Sequence, residues 1–593
     1  MTDPTDPFAH LHDEGFETPF NTPLLGAEGM IAMAGRAGES LNGDWDFVLD
    51  PFQEGLRQGW PAYDTAPITD WEIPRDYDGG DWQQMTVPGC WNLARPEWFH
   101  YEGAAWYARS FDATPLPGEH VFLRIGAAGG QARVFLNGHF LGLHKGGSTP
   151  FFTELTEALR PGVNRLMIEV DNSRRRDAVP MHHVDWFNYG GLFREVTLHR
   201  LPACFIRDFR IALAADGSGV DISLRLSEPV EATCRVGIDG LGEVDIAVRK
   251  GAGRLHWPCA PECWSPEAPR LYDVTASCGE DRITDRVGFR TIARRGHEIL
   301  LNGAPISLRG ACVHEDDREA GRCTSEADIR RRFEHLRALG ANAARLAHYP
   351  HHELAARIAD EMGILLWQEI PVYWAIDFKN PATLADARNQ LREMIARDHN
   401  RASVILWGVG NENEDSDARL AFMRDLAETA RHDDPTRLIT AACLISRERF
   451  RIEDRLAEHL DVIGLNEYFG WYEPGFDGLE KLLSNPAPDR PLVISETGAD
   501  ALAGLHGDPS ELFTEERQAD VIASQLRLAA GAGYISGVFL WLLYDFRSER
   551  RQTARQRGWN RKGLIAEDKQ TRKAGFAAAR DGFARHFNDN REG

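Results

Sequence analysis

Three features are missing from this 593-residue sequence, and each absence removes a class of protein. No apolar run reaches the roughly 20 residues that a membrane-spanning helix needs. The start of the chain, MTDPTDPFAHLHDEG, has neither the basic nor the apolar stretch of a secretory signal. The nine cysteines are scattered, and the closest pair, Cys259 and Cys263, has no second pair at zinc-ligand spacing. We therefore expect reduced thiols, a cytoplasmic location, no metal and no organic cofactor.

A surplus of positive charge is also missing. The chain carries 67 basic and 90 acidic residues, which gives a formal charge of −23. A field of this sign repels nucleic acid and anionic membranes, so we expect neither as a partner. It also repels a small anionic molecule, unless the binding pocket carries positive charge of its own.

The length and the pattern of apolar runs indicate three domains. From residue 41 to about 204, short apolar runs are broken by Gly, Pro and Asn, as is typical of a β-sandwich. The same pattern continues over 205–294, a length that suits an immunoglobulin-like sandwich. We place the domain limits at 1–204, 205–294 and 295–593.

From residue 295 the chain alternates short apolar strands with amphipathic helices. The eight strand candidates read PISLRGA, NAARLAH, GILLWQEI, SVILWGVGNE, RLITAA, DVIGLNEY, PLVISE and SGVFLWLL. The first helix candidate begins with Ser325 and Asp328 at the positions of a capping box. Eight strands with intervening helices predict a (β/α)8 barrel, whose active site lies at the carboxyl ends of its strands.

Two glutamates stand at such strand ends. The fourth strand candidate runs into Asn411 and Glu412, and the seventh ends in Glu496. These ends face each other across the mouth of a closed barrel, and a pair of carboxylates is what glycoside hydrolysis requires. One must hold a proton for the leaving oxygen, and the other must stay ionised to attack. A glutamate after a strand can also be a solvated loop residue, but two such residues in one barrel favour the paired interpretation.

The chain resembles glycoside hydrolase family 2 over nearly its whole length and in the family's order. The two longest matches are NRASVILWGVGNE (400–412) and LVISETGAD (492–500). Shorter matches are VPGCWN (87–92), DWFNYGGLFR (185–194), GFR (288–290), LNG (301–303), LRG (308–310), AHYP (347–350) and EIPVYW (369–374). The resemblance implies a jelly-roll β-sandwich, an immunoglobulin-like β-sandwich and a TIM barrel, and it implies assembly into a homo-oligomer.

The resemblance also implies roles at the catalytic centre. Glu412 would be the acid/base and Glu496 the nucleophile of an exo-acting enzyme that retains anomeric configuration. Asn411 would bind the sugar 2-hydroxyl. A retaining mechanism places the two carboxylates about 5–5.5 Å apart.

Two stretches resemble the family members that act on β-glucuronides. NEYFGWY (466–472) looks like their sugar-binding stretch and would contribute Asn466, Tyr468 and Tyr472. The two tyrosines would touch the sugar or orient Glu496, and packing in the core is a further alternative for Tyr472. NRKG (560–563) looks like their N-x-K-G motif, in which Asn560 and Lys562 would hold the C6 carboxylate of the sugar. The segment 547–562, which contains this motif, has seven basic residues and one acid. We interpret Arg547, Arg550 and Arg551 as solvated loop residues, and the roles of Arg555 and Arg557 stay open.

Four further residues are candidates for sugar contact. By resemblance, His314 and His348 lie near the nucleophile and the sugar, and Asp185 lies in a loop that reaches the sugar hydroxyls. Trp541 lies at the end of the eighth strand candidate. It either forms the floor of the sugar site or packs inside the barrel. The chain departs from the family at Asn413, Thr497 and Trp559, where proline, an aromatic and a small residue are usual.

We compare three possible functions. The first is hydrolysis of β-D-glucuronides. The second is the same chemistry on a galacturonide, galactoside or mannoside. The third, from another class, is a non-catalytic carbohydrate-binding protein, which the intact motifs around Glu412 and Glu496 argue against.

Overall fold

The computed structural model describes residues 20–62, 81–485 and 488–587. The first part is a β-sandwich of two sheets, with seven and four strands. In sheet order, the larger one contains Leu24–Leu25, His139–Lys145, Gln131–Leu136, Gly162–Asp171, Ala104–Ala113, Gly43–Asp50 and Gln83–Val87. The smaller one contains Glu39–Ser40, Val196–Pro202, Glu119–Ile125 and Phe151–Glu154. Short helices at Ala27–Gly29, Glu54–Gln58, Trp60–Ala62, Trp91–Ala94 and Pro96–Trp98 connect or flank these strands.

A second, smaller β-sandwich follows. Its sheets contain Ile206–Leu213, Val220–Leu226 and Ala252–Trp257 on one side, and Gly242–Val248, Ala232–Ile238, Tyr272–Cys278 and Asp281–Val287 on the other. Val220–Leu226 alternates strictly between buried and more exposed residues, because successive side chains of a strand point to opposite faces and only one face meets the core. A three-stranded sheet, Ile292–Arg295, Glu298–Leu301 and Ala304–Ile306, leads into the last domain.

The last domain is a closed barrel of eight parallel strands, as predicted. The strands are β1 Leu308–Val313, β2 Ala343–Leu346, β3 Leu365–Glu369, β4 Val404–Asn411, β5 Leu438–Cys443, β6 Val462–Asn466, β7 Leu492–Thr497 and β8 Ile535–Leu540. Every residue of β2 to β7 is buried, because barrel strands pack on helices outside and on one another inside. All eight strand candidates are therefore confirmed.

Helices surround the barrel. They are α1 Glu326–Ala338, α2 Leu354–Met362, α3 Pro381–Asp398, α4 Asp417–Asp433, α5 Asp477–Ser484, α6 Glu515–Gly531 and α7 Ala574–His586, with a 3-10 helix at Arg455–His459 after β5. The predicted capping box is present, since Ser325 Oγ accepts from the Asp328 amide at 3.2 Å and Asp328 Oδ2 accepts from the Ser325 amide at 3.1 Å. In the part of the chain that the structure covers, no helix combines the length and apolar character needed to cross a bilayer.

The first sandwich docks against the mouth of the barrel through its 172–195 segment. Tyr189 Oη donates to Asp316 Oδ1 at 2.7 Å, and Arg194 donates to Glu315 Oε2 at 2.9 Å. Both acids follow β1 and are buried. This docking brings a loop of the sandwich to the carboxyl ends of the barrel strands. The domain limits at residues 204 and 294 stay predictions.

Candidate active site

The two predicted carboxylates lie at the barrel mouth, and each accepts a hydrogen bond from residues at the end of the sixth strand or just after it. Glu412 follows β4 directly, and Glu496 lies near the end of β7. The end of β6 reaches both, because Asn466 Nδ2 donates to Glu412 Oε1 at 3.0 Å and Tyr468 Oη donates to Glu496 Oε2 at 2.8 Å. The predicted sugar-binding stretch after β6 therefore touches both catalytic candidates.

A buried arginine that sequence reasoning missed holds one of these carboxylates. Arg345 lies in β2, fully buried, and its Nη1 donates to Glu496 Oε1 at 2.7 Å. The other edge of its guanidinium donates to both oxygens of Glu369, at 3.0 and 2.9 Å. Its Nη2 also donates to Asn411 Oδ1 at 2.7 Å. A single planar cation thus fixes two carboxylates and one amide, a geometry that guanidinium provides and ammonium does not.

The titration of Glu496 reflects this environment. Burial, together with the nearby Glu412 carboxylate, raises the pKa of Glu496 to about 8, while Arg345 and Tyr468 act to lower it. Burial also opposes the positive charge of Arg345, but Glu369 and Glu496 raise its pKa well above the ordinary arginine value. Because interacting carboxyls titrate as a pair, we expect the site to keep one proton at neutral pH. One proton on two carboxylates is what acid-assisted nucleophilic attack requires.

The second oxygen of Glu412 is held by an indole. Trp374 Nε1 donates to Glu412 Oε2 at 2.7 Å, and Asn413 Nδ2 supports the loop by donating to the Trp374 carbonyl at 2.8 Å. Glu412 and Trp374 both have left-handed backbone conformations, with φ of 51° and 52°. Such strain in side-chain-bearing residues is typical of functional sites. Asn413, which replaces the proline usual in the family, is thus a hydrogen-bonding part of this loop.

The oxygen and the nitrogen of the Asn411 side-chain amide differ in their hydrogen bonding. Its Oδ1 accepts from Arg345 and, at 3.1 Å, from Asn466. Its Nδ2 is buried without a hydrogen-bond acceptor among the residues that the structure describes. The amide is therefore locked in orientation, with a donor available for a bound molecule.

The two predicted histidines lie side by side but make different contacts. His348 Nδ1 bonds to Glu369 Oε1 at 2.7 Å, and its Nε2 lies 3.7 Å from Glu496 Oε1. His314 Nδ1 bonds to Tyr349 Oη at 3.2 Å, and its Nε2 is buried without a partner in the described chain. Burial lowers the pKa of both rings, so both are neutral at neutral pH.

Aromatic rings form a wall beside these histidines. Trp541, only 5% exposed, stacks on His348 with centroids 5.0 Å apart and also contacts His314 at 5.4 Å. Trp186 and Tyr373 complete the wall, with their centroids 4.9 Å apart. A flat apolar surface of this kind suits the face of a sugar ring, and it also provides ordinary packing.

Asp185 is engaged by the loop that follows β8. Ser548 Oγ donates to Asp185 Oδ1 at 2.7 Å, Asn560 Nδ2 lies 3.4 Å from Oδ2, and Arg551 pairs with both oxygens. The interpretation of Arg551 as a solvated loop residue is therefore wrong. Its guanidinium has a carboxylate partner contributed by another domain, which its position in the sequence does not reveal.

The interpretation of Arg547 as a solvated loop residue is also wrong. Its Nη1 donates to Tyr189 Oη at 2.8 Å, and its backbone amide donates to Asp316 Oδ2 at 3.0 Å, so it joins the first domain to the barrel. Arg550 is exposed, as interpreted, and its guanidinium lies over the ring of Trp374. Arg555 donates to the Leu512 carbonyl and Arg557 to that of Ala554, at 3.0 and 2.9 Å. Arg557 therefore supports its own loop, and Arg555 joins that loop to the segment after β7.

Lys562 is buried in a ring of aromatic residues and has a carboxylate partner. Its Nζ donates to Asp500 Oδ2 at 2.6 Å and to Tyr472 Oη at 2.8 Å. The rings of Tyr468, Trp471 and Tyr472 lie 5.8, 5.7 and 4.8 Å from the ammonium. Asp500 raises the pKa of Lys562 against the effect of burial, so the lysine stays charged. Asp500 was not among the predicted site residues.

The side chains of Asn560 and Tyr472 connect Lys562 with the Arg551–Asp185 pair. Asn560 Oδ1 accepts from the Lys562 amide at 3.1 Å, while its Nδ2 approaches Asp185. Tyr472 Oη accepts from both Lys562 and, at 3.2 Å, Arg551. Tyr472 is 52% exposed, so this polar cluster opens to solvent at the barrel mouth.

Fold and site together define a class of enzyme. A (β/α)8 barrel with two hydrogen-bonded carboxylates at the ends of its fourth and seventh strands is the arrangement of a glycoside hydrolase. Residues 292–582 match the family model for the TIM barrel domain of glycosyl hydrolases family 2, and residues 39–202 match its sugar binding domain. The chain belongs to glycosyl hydrolases family 2, as the sequence motifs indicated.

Known relatives are similar over nearly the whole chain. A β-glucuronidase from Paenibacillus borealis is 30% identical, covering 90% of this chain and 95% of its own. A solved family 2 β-galacturonidase from Eisenbergiella tayi, bound to galacturonate, is 27% identical with a TM-score of 0.80, covering 94% of this chain and 98% of its own. A solved β-glucuronidase from an uncultured Clostridium sp. is 26% identical with a TM-score of 0.82, covering 93% and 98%.

Proposed function

We propose that this chain is an exo-acting β-glucuronidase, with Glu496 as nucleophile and Glu412 as acid/base. The observation that carries the substrate assignment is the Lys562 pocket. An ammonium has three N–H donors, and Lys562 uses two of them on Asp500 and Tyr472. The third would donate to the C6 carboxylate of a uronic acid, for which a charge-assisted bond is the stronger kind.

The pocket charges change the expected means of recognition. The basic stretch 547–562 predicts that local positive charge draws in an anionic sugar. Lys562 is paired with Asp500, and Arg551 is paired with Asp185, so these four groups sum to zero. A substrate carboxylate would join a neutral cluster of fixed donors. Orientation of N–H groups, more than net charge, would then select the uronic acid.

The reaction follows from the two carboxylates. Glu496 attacks the anomeric carbon while Glu412 protonates the glycosidic oxygen, so the aglycone leaves and a glycosyl ester forms on Glu496. Glu412, now ionised, takes a proton from water, which attacks the same carbon and frees Glu496. Two displacements retain the anomeric configuration, as in the family. The carboxylate separation of about 5–5.5 Å that this mechanism requires stays a prediction.

The surrounding residues support these two steps. Arg345 and Tyr468 donate to the carboxylate form of Glu496, which stabilises it before attack. The free N–H of Asn411 suits the sugar 2-hydroxyl, a bond that strengthens in the oxocarbenium-like transition state. His348 and Trp541 would contact the sugar, and Asp185 would accept hydrogen bonds from its hydroxyls. His314 would support His348 and Trp541 from behind.

A β-galacturonidase is the second candidate. The specific observation is the similarity to the Eisenbergiella tayi β-galacturonidase. Galacturonate differs from glucuronate at C4 alone and carries the same carboxylate, so Lys562 serves both. Discrimination would fall to groups that reach the C4 hydroxyl, among which we count Asp185 and Arg551.

A substrate panel tests the proposal. Initial rates on the 4-nitrophenyl β-glucuronide, β-galacturonide, β-galactoside, β-glucoside and β-mannoside should rank the glucuronide first. A preference for any neutral glycoside contradicts the uronic acid assignment but not the family. Cytoplasmic location, a homo-oligomeric state and the lack of a cofactor stay predictions, of which light scattering coupled to gel filtration tests the second.

A further inference from the structure

Trp374 connects the acid/base candidate to an exposed cation. Its indole N–H holds Glu412 Oε2 at 2.7 Å, and the Arg550 guanidinium lies over its ring, 4.7 Å from the centroid. Trp374 is half-buried and Arg550 is exposed. One indole therefore separates Glu412 from a positive charge at the surface of the site.

Trp374 and Asn466 hold different oxygens of the Glu412 carboxylate. The acid/base must reach the glycosidic oxygen, so one of its sides faces the sugar and the other faces the aglycone. Glu412 Oε1 is bonded by Asn466, which also bonds Asn411 on the sugar side. Oε2, which Trp374 holds, is the opposite oxygen. An aglycone placed on the side of Oε2 would meet Trp374 and the Arg550 guanidinium that lies over its ring.

Arg550 differs from its neighbours in having no acid to neutralise it. Arg551 pairs with Asp185, and Glu549 pairs with Arg174. No carboxylate of residues 20–62, 81–485 or 488–587 lies within ion-pair distance of Arg550, whose guanidinium lies over the Trp374 ring. An unpaired cation at this position, in a chain of formal charge −23, is a local reversal of sign.

The loop that carries Arg550 is fixed on both sides. Ser548 and Arg551 hold Asp185 through their side chains. Their backbones bond to Gly558, through Ser548 N to the Gly558 carbonyl at 2.8 Å and Gly558 N to the Arg551 carbonyl at 2.7 Å. A guanidinium stacked on an indole keeps its N–H edge free for a carboxylate. The position of Arg550 is thus supported by its neighbours while its donors remain open.

We propose that Arg550 and Trp374 form a leaving-group subsite for aglycones that carry a carboxylate close to the scissile bond. The proposal rests on the proposed glycosidase function and names the substrate class of that site. The carboxylate can belong to a second uronic acid in a chain or to an aromatic acid. Both present the same anion to the same guanidinium.

Matched pairs of substrates test the subsite. In the aromatic arm, an aryl β-glucuronide with a ring carboxylate is compared with its N-methyl carboxamide. In the sugar arm, a β-glucuronyl uronic acid disaccharide is compared with its uronamide. The measured quantity is the ratio of kcat/KM, acid to amide, in the wild type and in Arg550→Ala, Arg550→Lys and the control Arg555→Ala. Dividing variant by wild-type ratios cancels the intrinsic difference between the leaving groups.

We expect Arg550→Ala to lower the ratio by roughly two- to fivefold, the range of an exposed ion pair. Arg550→Lys should retain part of it, and Arg555→Ala, which removes the same charge from the same loop, should leave it unchanged. Raising the salt concentration should reduce the wild-type ratio toward that of Arg550→Ala, because salt screens exposed charges. The arm with the larger change identifies the source of the carboxylate.

An equal ratio in wild type and Arg550→Ala in both arms overturns the subsite, as does an equal loss in Arg555→Ala. If the wild type hydrolyses neither glucuronide but accepts another glycone, the proposed glucuronidase function fails. The same pairs are then built on the accepted glycone, so the subsite is still decided by the Arg550→Ala ratio.

Discussion

The two halves of the candidate site are built in different ways. The half that we propose to be catalytic, called the catalytic half below, consists of side chains on or just after barrel strands. One buried arginine, Arg345, is shared between Glu369 and Glu496. The half that we propose to bind the uronic acid, called the recognition half, consists of loop side chains, and each cation has its own acid, with Arg551 on Asp185 and Lys562 on Asp500. The catalytic half has fewer positive than negative charges, and the recognition half has equal numbers of each.

This difference teaches what each half is arranged to do. A shared cation leaves the paired carboxylates able to hold one proton between them, which suits proton and bond transfer. Paired charges hold each other in place and offer fixed donors to a ligand. We therefore expect variants of the first half to affect all substrates, and variants of Lys562 in the second half to affect uronic acids alone.

The largest effect should come from Glu412→Ala. Loss of the acid/base should lower kcat/KM by about 10²–10⁴-fold on alkyl glycosides, and much less on activated phenols, which leave without protonation. Azide should restore part of the activity by attacking the glycosyl-enzyme. Steady-state rates on both substrate types test this, with the exposed Glu414→Ala as control. Full activity of Glu412→Ala on an alkyl glycoside breaks the assignment.

Lys562→Ala should act on one class of substrate only. Loss of a buried charge partner costs on the order of 2–5 kcal/mol, so kcat/KM for the glucuronide should fall tens- to thousands-fold. Activity on a neutral glucoside or galactoside should be nearly unchanged, since these sugars lack the carboxylate.

The matched control for Lys562 is Lys569→Ala, because Lys569 also pairs with an acid, Asp317, at 2.8 Å but lies outside the pocket. It should leave the ratio of glucuronide to neutral activity as in the wild type. Equal damage to both substrate classes by Lys562→Ala would remove the distinction between the two halves.

The pH profile should report the proton that the catalytic pair shares. The pKa of Glu496 is raised to about 8, so the pair keeps its proton below that pH and loses it above. Once both carboxylates are ionised, no acid remains for the leaving oxygen. The kcat/KM should therefore fall above about pH 8, by about tenfold for each further pH unit. A profile that stays flat to pH 10 contradicts the shared proton.

Tyr468→Phe should give the smallest effect. It removes the 2.8 Å hydrogen bond to Glu496, worth about 1 kcal/mol, so kcat should fall several-fold for every substrate. Because that bond stabilises the carboxylate, its loss raises the pKa of Glu496, and the basic limb of the profile should move to higher pH. A shift to lower pH, or loss confined to uronic acids, would place Tyr468 in the recognition half instead.

The two halves also differ in how far the sequence predicted them. The eight strands, Glu412 and Glu496 follow from apolar runs and from the rule that barrel sites lie at strand ends. Arg345 has a visible signal in the sequence, since it is a charge inside the apolar run NAARLAH. Arg551 and Asp500 had none, because the direction of a loop side chain depends on a partner far away in sequence. Asp185, from another domain, was found only through family resemblance.

Covalent trapping tests the central claim most directly. A 2-deoxy-2-fluoro β-glucuronyl fluoride should inactivate the enzyme with one label per chain, because fluorine slows hydrolysis of the glycosyl-enzyme more than a good leaving group slows its formation. Peptide mapping should place that label on Glu496. An ester on any other residue, or turnover with the inverted anomer released first in an NMR time course, would contradict the account of the catalytic pair.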